Sequence, residues 1–434
     1  MASSAGQQQP PSTVNDPITT NSTQSGKPSV LIIGGLGYVG RFLALYIHQN
    51  SLASTIRLVD KQLPELAMLP PEFNEACSKE NFMQADASRE SNLARILTPP
   101  QGHAESYDYI FNCGGETRFS QEDNVYRARS YMLSLVLGQA AAKKGCKAFI
   151  ECSTGMVYAP DKTPRRESDR TKPWLRLAKW KLDAEEALGK MQKGGANEVT
   201  ANSNKQGEGA NGVRPEKRGL PLVVMRTAHV YGPYTGRWLG TALALARVYQ
   251  DMGKDMKFLW SRDLHTACVH VEDVARALWT AAEWRSNLSP NTSVSPFQAS
   301  PQDALTPFPV FNIVDHGQTS QATLAGLVTE VFKIPTTFTN ALINTFARLN
   351  LDHVVDDVND ETLDPWSDML KRSGCVGNTP LSPFMEKELL QDKEFNLNGS
   401  RFENTVGFRY KHERITKQEV EDVIESYKRM NWWP

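Results

Sequence analysis

The chain has 434 residues and a formal net charge of −1 at pH 7, with 40% hydrophobic and 22% charged residues. That is enough for one large domain with a lobe, or for two domains, and a charge near zero offers no grip on nucleic acid or an anionic membrane surface. Six scattered cysteines without a Cys-x-x-Cys pair argue against a disulfide framework or structural zinc, and no uncharged apolar run reaches the ~18–20 residues that span a bilayer. Residues 1–27 are rich in Ser, Thr, Gln and Pro and fit neither a secretory signal nor a mitochondrial presequence. They read as a disordered tail, and the expected compartment is cytoplasmic.

Beyond the tail, Ser29 to Ile33 is a short apolar run of the kind that makes a buried parallel strand. Gly34, Gly37 and Gly40 follow at three-residue spacing, and Arg41 to Ile47 continues at helical period. A strand that feeds a glycine turn and opens a helix lets backbone come close to a ligand. It also aims the helix's unpaired N–H groups at an anionic diphosphate. Gly34, Gly35, Gly37, Tyr38, Val39 and Gly40 are therefore candidate cofactor contacts. A second strand, Ser54 to Val59, ends in Asp60, where a carboxylate would accept hydrogen bonds from an adenosine ribose. An ordinary βαβ turn with a capping aspartate is the plain alternative.

Asn81 to Asp86 reads as another short strand; Asp86 either reaches an adenine edge or simply closes a turn. Tyr107 to Asn112 is a fourth strand, running into the small residues Cys113, Gly114 and Gly115. Residues 126–144 carry a helical pattern that stops at Lys143, Lys144 and Gly145. Lys147 to Cys152 makes a fifth strand, Leu175 to Leu188 a helix, and Leu220 to Arg226 a sixth strand. Between the last two, residues 194–219 are rich in Gly, Asn and charge and read as a disordered insertion. Strands alternating with helices at this rhythm predict an α/β fold, a doubly wound parallel sheet of Rossmann type with ligands at the strands' C-terminal ends.

The second half is less regular. Ala267 to Val271 reads as a short strand, Glu272 to Trp284 as a helix, and 286–307 as a Ser/Pro-rich insertion. Pro309 to Val314 is a further strand, and Ser320 caps a helix through about Phe332. From Asn340 on, short helical stretches alternate with polar loops. The expected layout is a tail 1–27, a dinucleotide-binding domain 28–285, the insertion 286–307, and 308–434 with the last core strand and helix plus a small, mostly helical substrate lobe.

Taken together, Gly34 to Gly40, Asp60, Asp86, Ser153 to Tyr158, Lys181 to Glu185, Arg226 to Pro233 and Val269 to Val274 resemble the extended short-chain dehydrogenase/reductases of the NAD-dependent epimerase/dehydratase branch. The resemblance covers roughly residues 28–335, with a fainter echo near 398–408. It implies bound NAD and, in many relatives, a nucleotide-sugar substrate between two lobes. In that family a Ser/Thr, a Tyr and a Lys four residues after the Tyr carry the chemistry. The Tyr is the acid/base, and the Lys lowers its pKa and holds the nicotinamide ribose. Thr154 matches the first position and Lys181 the third, but the residue four before Lys181 is Leu177, which carries no proton.

Other departures follow. The asparagine expected in the fourth helix falls on Ser130, and the arginine that many sugar-nucleotide relatives place before their His-Val motif falls on Thr266, with Arg262 out of register. His229 stands where relatives often carry a substrate-facing asparagine, and Tyr158 lies in a motif near the expected cleft; both are substrate-side candidates. Two functions are open. With Leu177 in the Tyr position, the favoured reading is an NAD-binding protein with an impaired site that acts as a cofactor- and ligand-binding or regulatory protein. The alternative is an active NAD-dependent epimerase/dehydratase with a substituted acid/base. No metal is expected. The expected partner is a small molecule, with a nucleotide sugar first in line and homodimerisation left open.

Overall fold

The computed structural model describes residues 26–100, 105–192, 219–288, 296–375, 377 and 379–434. The expected tail but for its last two residues, the insertion 194–219 but for Gly219, and residues 289–295 of the later insertion lie outside the described residues.

Strand β1 (Ser29–Ile33) is buried at every position, as a strand covered by helices on both faces must be. It leads through the glycine turn into α1 (Tyr38–Gln49), and β2 (Thr55–Asp60), β3 (Phe82–Gln84) and α2 (Glu90–Ile96) follow. The chain then crosses back to β4 (Tyr109–Asn112). α3 (Asp123–Tyr126) passes through a π-helical turn, Arg127–Tyr131, into α4 (Met132–Lys144), which ends on left-handed Gly145 at φ 84°. β5 (Ala148–Thr154), α5 (Arg176–Gln192) and β6 (Leu222–Thr227) complete the regular part.

Less regular elements come next: β7 (His229–Tyr231), α6 (Leu239–Asp251), β8 (Met256–Phe258), β9 (Cys268–His270) and α7 (Val271–Asn287). β10 (Val310–Ile313) returns to the main sheet, and α8 (Gln321–Phe332) starts on a capping box of Ser320 with Thr323. β11 (Thr336–Phe338), α9 (Ala341–Leu349), α10 (Leu351–Ser373), α11 (Ser400–Val406) and α12 (Lys417–Arg429) finish the chain.

The seven-stranded sheet has the order β3-β2-β1-β4-β5-β6-β10, and every pairing in it is parallel. Strand order reverses between β1 and β4, where Ile33 lies beside Asn112, so the crevice above those two strand ends is the place for a ligand. β6 is buried along its whole length, Arg226 included. That guanidinium is held by Glu185 at 2.6 Å and by the Tyr158 hydroxyl at 2.8 Å, which removes the cost of an unpaired buried charge.

Beyond Asn340 the chain is less broken than its polar loops suggest. α10 is a single helix of 23 residues running through Pro365, because Val355, Thr362, Trp366 and Met369 give it a continuous inward face. β8 with β11 and β7 with β9 form two small parallel pairs beside the main sheet. Within the later insertion, Phe297 is buried against Trp284 and Phe311, with ring centroids at 5.7 Å in each case.

The C-terminal segment is tied to this lobe by His412. Its ring bonds Glu419 at 2.8 Å and Glu272 at 3.3 Å, and stacks on His270 with centroids 3.7 Å apart. Burial opposes a charge on His412, but the two carboxylates prevail and lift it to about 9. Burial, helped by that charged neighbour, pushes His270 down to about 4. The two rings lie at 23° to each other, and a nitrogen of each, with a carboxylate oxygen of Glu272, all lie within 4.8 Å of one another, a spacing that could hold a metal ion.

Candidate functional site

The glycine turn is shaped by close approach. Gly34 has φ +70°, and a Cβ there would stand 2.8 Å from Gly114. A Cβ on Gly40 would collide with Gly34 O, so the start of α1 can sit directly on the turn only without a side chain. Gly35 backs onto Leu58. Gly37 differs, because a Cβ there would meet nothing closer than Gly34 O at 3.1 Å. Its free side faces a cavity of about 860 Å³ above the β1/β4 crevice.

Most of the sequence candidates meet around that cavity. Gly34, Gly37, Tyr38, Val39, Asp60, Asp86, Thr154, Leu177, Lys181 and His229 all line it. Gly35, Gly40 and Tyr158 do not.

Asp60, at the end of β2, accepts from the backbone N–H of Leu36 and of Gln62, each at 3.2 Å, which fixes its carboxylate against the glycine turn. Asp86 is pulled toward the neutral form by burial. The Ser88 hydroxyl at 2.6 Å, the Ser88 N–H at 3.0 Å and the Lys61 charge outweigh that and hold it below the usual carboxylate range. Lys181 projects from α5, and its Nζ donates to Cys152 O at 2.6 Å. Thr154 Oγ1 accepts from Met156 N at 3.2 Å and opens a short 3₁₀ turn, Gly155–Val157.

Leu177 is one helical turn before Lys181 on α5, is only 8% exposed, and presents a hydrocarbon surface to the cavity. Tyr158 is turned into the interior on the far side of the 3₁₀ turn, where its hydroxyl donates to Asn312 at 2.8 Å and accepts from Arg226. Burial raises its pKa far above the ordinary phenol value. Tyr231 is likewise committed, to Glu419 at 3.0 Å. Ser130 does not line the cavity; its hydroxyl accepts from Glu116 N at 3.1 Å.

His229 forms part of a plate. Its ring stacks on Trp238 with centroids 4.8 Å apart and planes 4° apart, and meets the edge of Phe395 at 5.0 Å. Burial alone pushes its pKa down to about 3, so the imidazole is neutral. The plate lines both this cavity and a second one of about 350 Å³ enclosed by α6, β8 and the C-terminal lobe.

Five residues of the site escaped sequence reasoning. Glu116 lines the cavity; burial would raise its pKa, but Arg118 at 2.8 Å and Arg129 at 2.7 Å hold it down to about 2. Trp238 adopts a left-handed φ of 50°, with its indole N–H on Thr266 Oγ1 at 3.1 Å. Pro380, Leu389 and Trp432 close the cavity from the C-terminal lobe. The run Glu116-Thr117-Arg118 carried a readable sign, a carboxylate with a nearby arginine after a strand end; the other four carried none.

Comparison with known proteins agrees with the fold. Residues 30–186 match the model of the NAD dependent epimerase/dehydratase family. A search of curated proteins by sequence finds no match. Among solved structures, the chain is similar to the Bordetella bronchiseptica enzyme WbmG in complex with NAD and UDP. Identity is 13%, over 94% of this chain and 97% of that one, with a TM-score of 0.57. It is also similar to UDP-N-acetylglucosamine 4-epimerase from Methanobrevibacter ruminantium M1 in complex with UDP-N-acetylmuramic acid (14%, 93% and 99%, TM-score 0.59). A third is UDP-glucuronic acid 4-epimerase from Bacillus cereus in complex with UDP-glucuronic acid and NAD (14%, 92% and 99%, TM-score 0.58). At these identities the likeness is one of fold. Among the described residues, no helix is long and apolar enough to cross a membrane.

Proposed function

We propose that this chain, whose residues 30–186 carry the epimerase/dehydratase family match, is an NAD-dependent enzyme acting on a carbinol or carbonyl group. The observation that carries this reading is one cavity wall on which Gly34, Gly37, Asp60, Asp86, Lys181, Thr154 and His229 stand together. The open side of Gly37 suits a diphosphate, Asp60 an adenosine ribose, Asp86 an adenine edge, and Lys181, fixed by Cys152 O, a nicotinamide ribose. Bound NAD would supply hydride transfer.

The protein's own share is to hold the substrate oxygen and move its proton. Thr154 can bond that oxygen, and His229, on the wall of the same cavity, offers an imidazole nitrogen in place of the phenol missing at position 177. A base held as low as about 3 is weak, so turnover is expected to be modest. The UDP compounds bound by the neighbours make UDP-sugars the first substrates to assay, with secondary alcohols beside them.

A second reading, cofactor and ligand binding without turnover, is favoured by one observation: the apolar Leu177 on the cavity wall one turn from Lys181. One experiment separates the two. NAD binding is measured by calorimetry, and the protein is then mixed with NAD, UDP-sugars and secondary alcohols while NADH absorbance and epimerised product are followed. Turnover that falls away in His229→Phe supports the enzyme. Firm NAD binding with no product from any substrate supports the second reading, and no NAD binding overturns both.

A further inference from the structure

The second cavity differs in chemistry from the first. It lies against α6, β8, α8 and α9, and Trp174, Trp238, Leu245, Phe258, Leu324 and Phe395 are among its lining. A diphosphate in such a place needs planar guanidinium forks or fixed N–H groups to replace its water. Among the described residues, no arginine lines this cavity. Thr266 stands on its wall at the position where the family resemblance calls for one. Arg262 lies over the Phe338 ring at 4.9 Å, and Arg237 belongs to the first cavity, bonded to Thr117 O and Glu386. The cations on the wall are Lys257 and Lys393, both exposed; His265, also on the wall, has its Nδ1 paired with Glu394 at 3.0 Å.

Two lining residues add a second, independent sign. Glu388 bonds Ser120 through Oε1, but its Oε2 is buried without a partner, and so is Gln321 Oε1. Buried acceptors without donors are uncommon in folded proteins. A lone carboxylate oxygen repels phosphate and accepts from a hydroxyl. The approach is apolar as well. Ile343 of α9 lines the cavity while 45% exposed, and Leu342, Phe346 and Leu349 of the same helix are 79%, 55% and 80% exposed.

We propose that this second cavity holds the body of a neutral, apolar, hydroxyl-bearing molecule, and not a nucleoside diphosphate. The proposal rests on the reading of the first cavity as the cofactor site. The His229–Trp238 plate, common to both cavities, is where the substrate's reacting end would pass from one to the other.

The probes are 2-naphthol, a neutral fluorescent alcohol, and UDP, each titrated into the full-length protein with and without NAD. 2-Naphthol is expected to bind saturably and UDP not to. Ala242→Phe, which fills the cavity from α6, should weaken 2-naphthol at least tenfold. Ile343→Glu, at the exposed mouth where folding is not at stake, should weaken it several-fold. Saturable UDP binding that is lost when Lys257 and Lys393 are changed to Ser overturns the proposal, as does 2-naphthol binding indifferent to both cavity substitutions. NAD titration of the same proteins is read separately. Loss of NAD binding with normal 2-naphthol binding strikes the cofactor reading and leaves the cavity's chemistry standing.

Discussion

Asp60 should make the protein discriminate against NADP. Its carboxylate is half-buried and pinned by the N–H groups of Leu36 and Gln62 at 3.2 Å, so it cannot swing away from a ligand in the cleft. A 2′-phosphate would place negative charge beside it. At ~5 Å and an effective dielectric of ~20, each unit of charge costs about 3 kcal/mol, falling to about 1 kcal/mol in bulk water. Two cations soften the repulsion without cancelling it. Lys61 is drawn to Asp86 at 3.3 Å, and Arg41 spends its donors on Leu36 O and Ala67 O at 2.6 and 3.2 Å. The net preference for NAD should therefore lie in the range of ~1–3 kcal/mol, or ~5–150-fold in Kd. Asp60→Ala should erase it from both sides, weakening NAD through lost ribose bonds and relieving NADP. Calorimetric titration of both cofactors into parent and variant measures the ratio. Equal or tighter NADP binding by the parent, or a ratio unmoved in Asp60→Ala, would refute the placement of Asp60 at the ribose.

Further outcomes follow from the same geometry. Gly37→Val, whose side chain enters the cavity, should abolish NAD binding in calorimetry while moving Tm by no more than about 3 °C. Gly40→Val must instead displace the turn and should cost ~1–3 kcal/mol in denaturant melts. Leu177→Tyr should speed carbinol oxidation ~10²–10⁴-fold, about 3–5 kcal/mol of barrier. No companion change is needed, since Trp180 lies outside the cavity with its indole N–H on Asp123 at 2.8 Å. A variant that binds NAD normally but gains no rate would mean that position 177 is not at the reacting carbon. His412 has a raised folded-state pKa, so its stabilisation is complete below the unfolded value near 6.5 and is lost as pH rises through about 9. That loss is worth up to about 3 kcal/mol. His412→Gln should lower Tm at pH 6.5 and flatten the decline between pH 6.5 and 9 relative to the parent; parallel Tm curves would rule the contribution out.

The parts of this fold that follow short-range rules were readable in the sequence. β1, the glycine turn and the capped helix after Ser320 are each set by neighbours in the chain, through apolar runs, close backbone approach and side-chain caps. The strand-end positions of Asp60, Asp86 and Thr154 followed, because a parallel sheet collects its strand ends on one side. Tyr158 shows the limit. Sequence nearness to Thr154 suggested the cleft, but the intervening 3₁₀ turn sends the ring inward to Arg226, a partner 68 positions away. The second cavity was unreadable for the same reason. Its walls come from α6, β8, α9 and residues 385–395, and no local pattern announces that these meet.

The His229–Trp238 plate has a thermodynamic consequence. One pair of stacked rings, braced by Phe395 and by the indole bond to Thr266, is a wall of two cavities at once. A molecule on one side that stiffens or tilts the rings alters the cost of filling the other. By reciprocity, the factor by which a first-cavity occupant changes the affinity of the second must equal the factor in the opposite direction. Molecules held on both sides of the partition would thus be heterotropic effectors of one another, with the sign set by whether each leaves the rings where the other wants them.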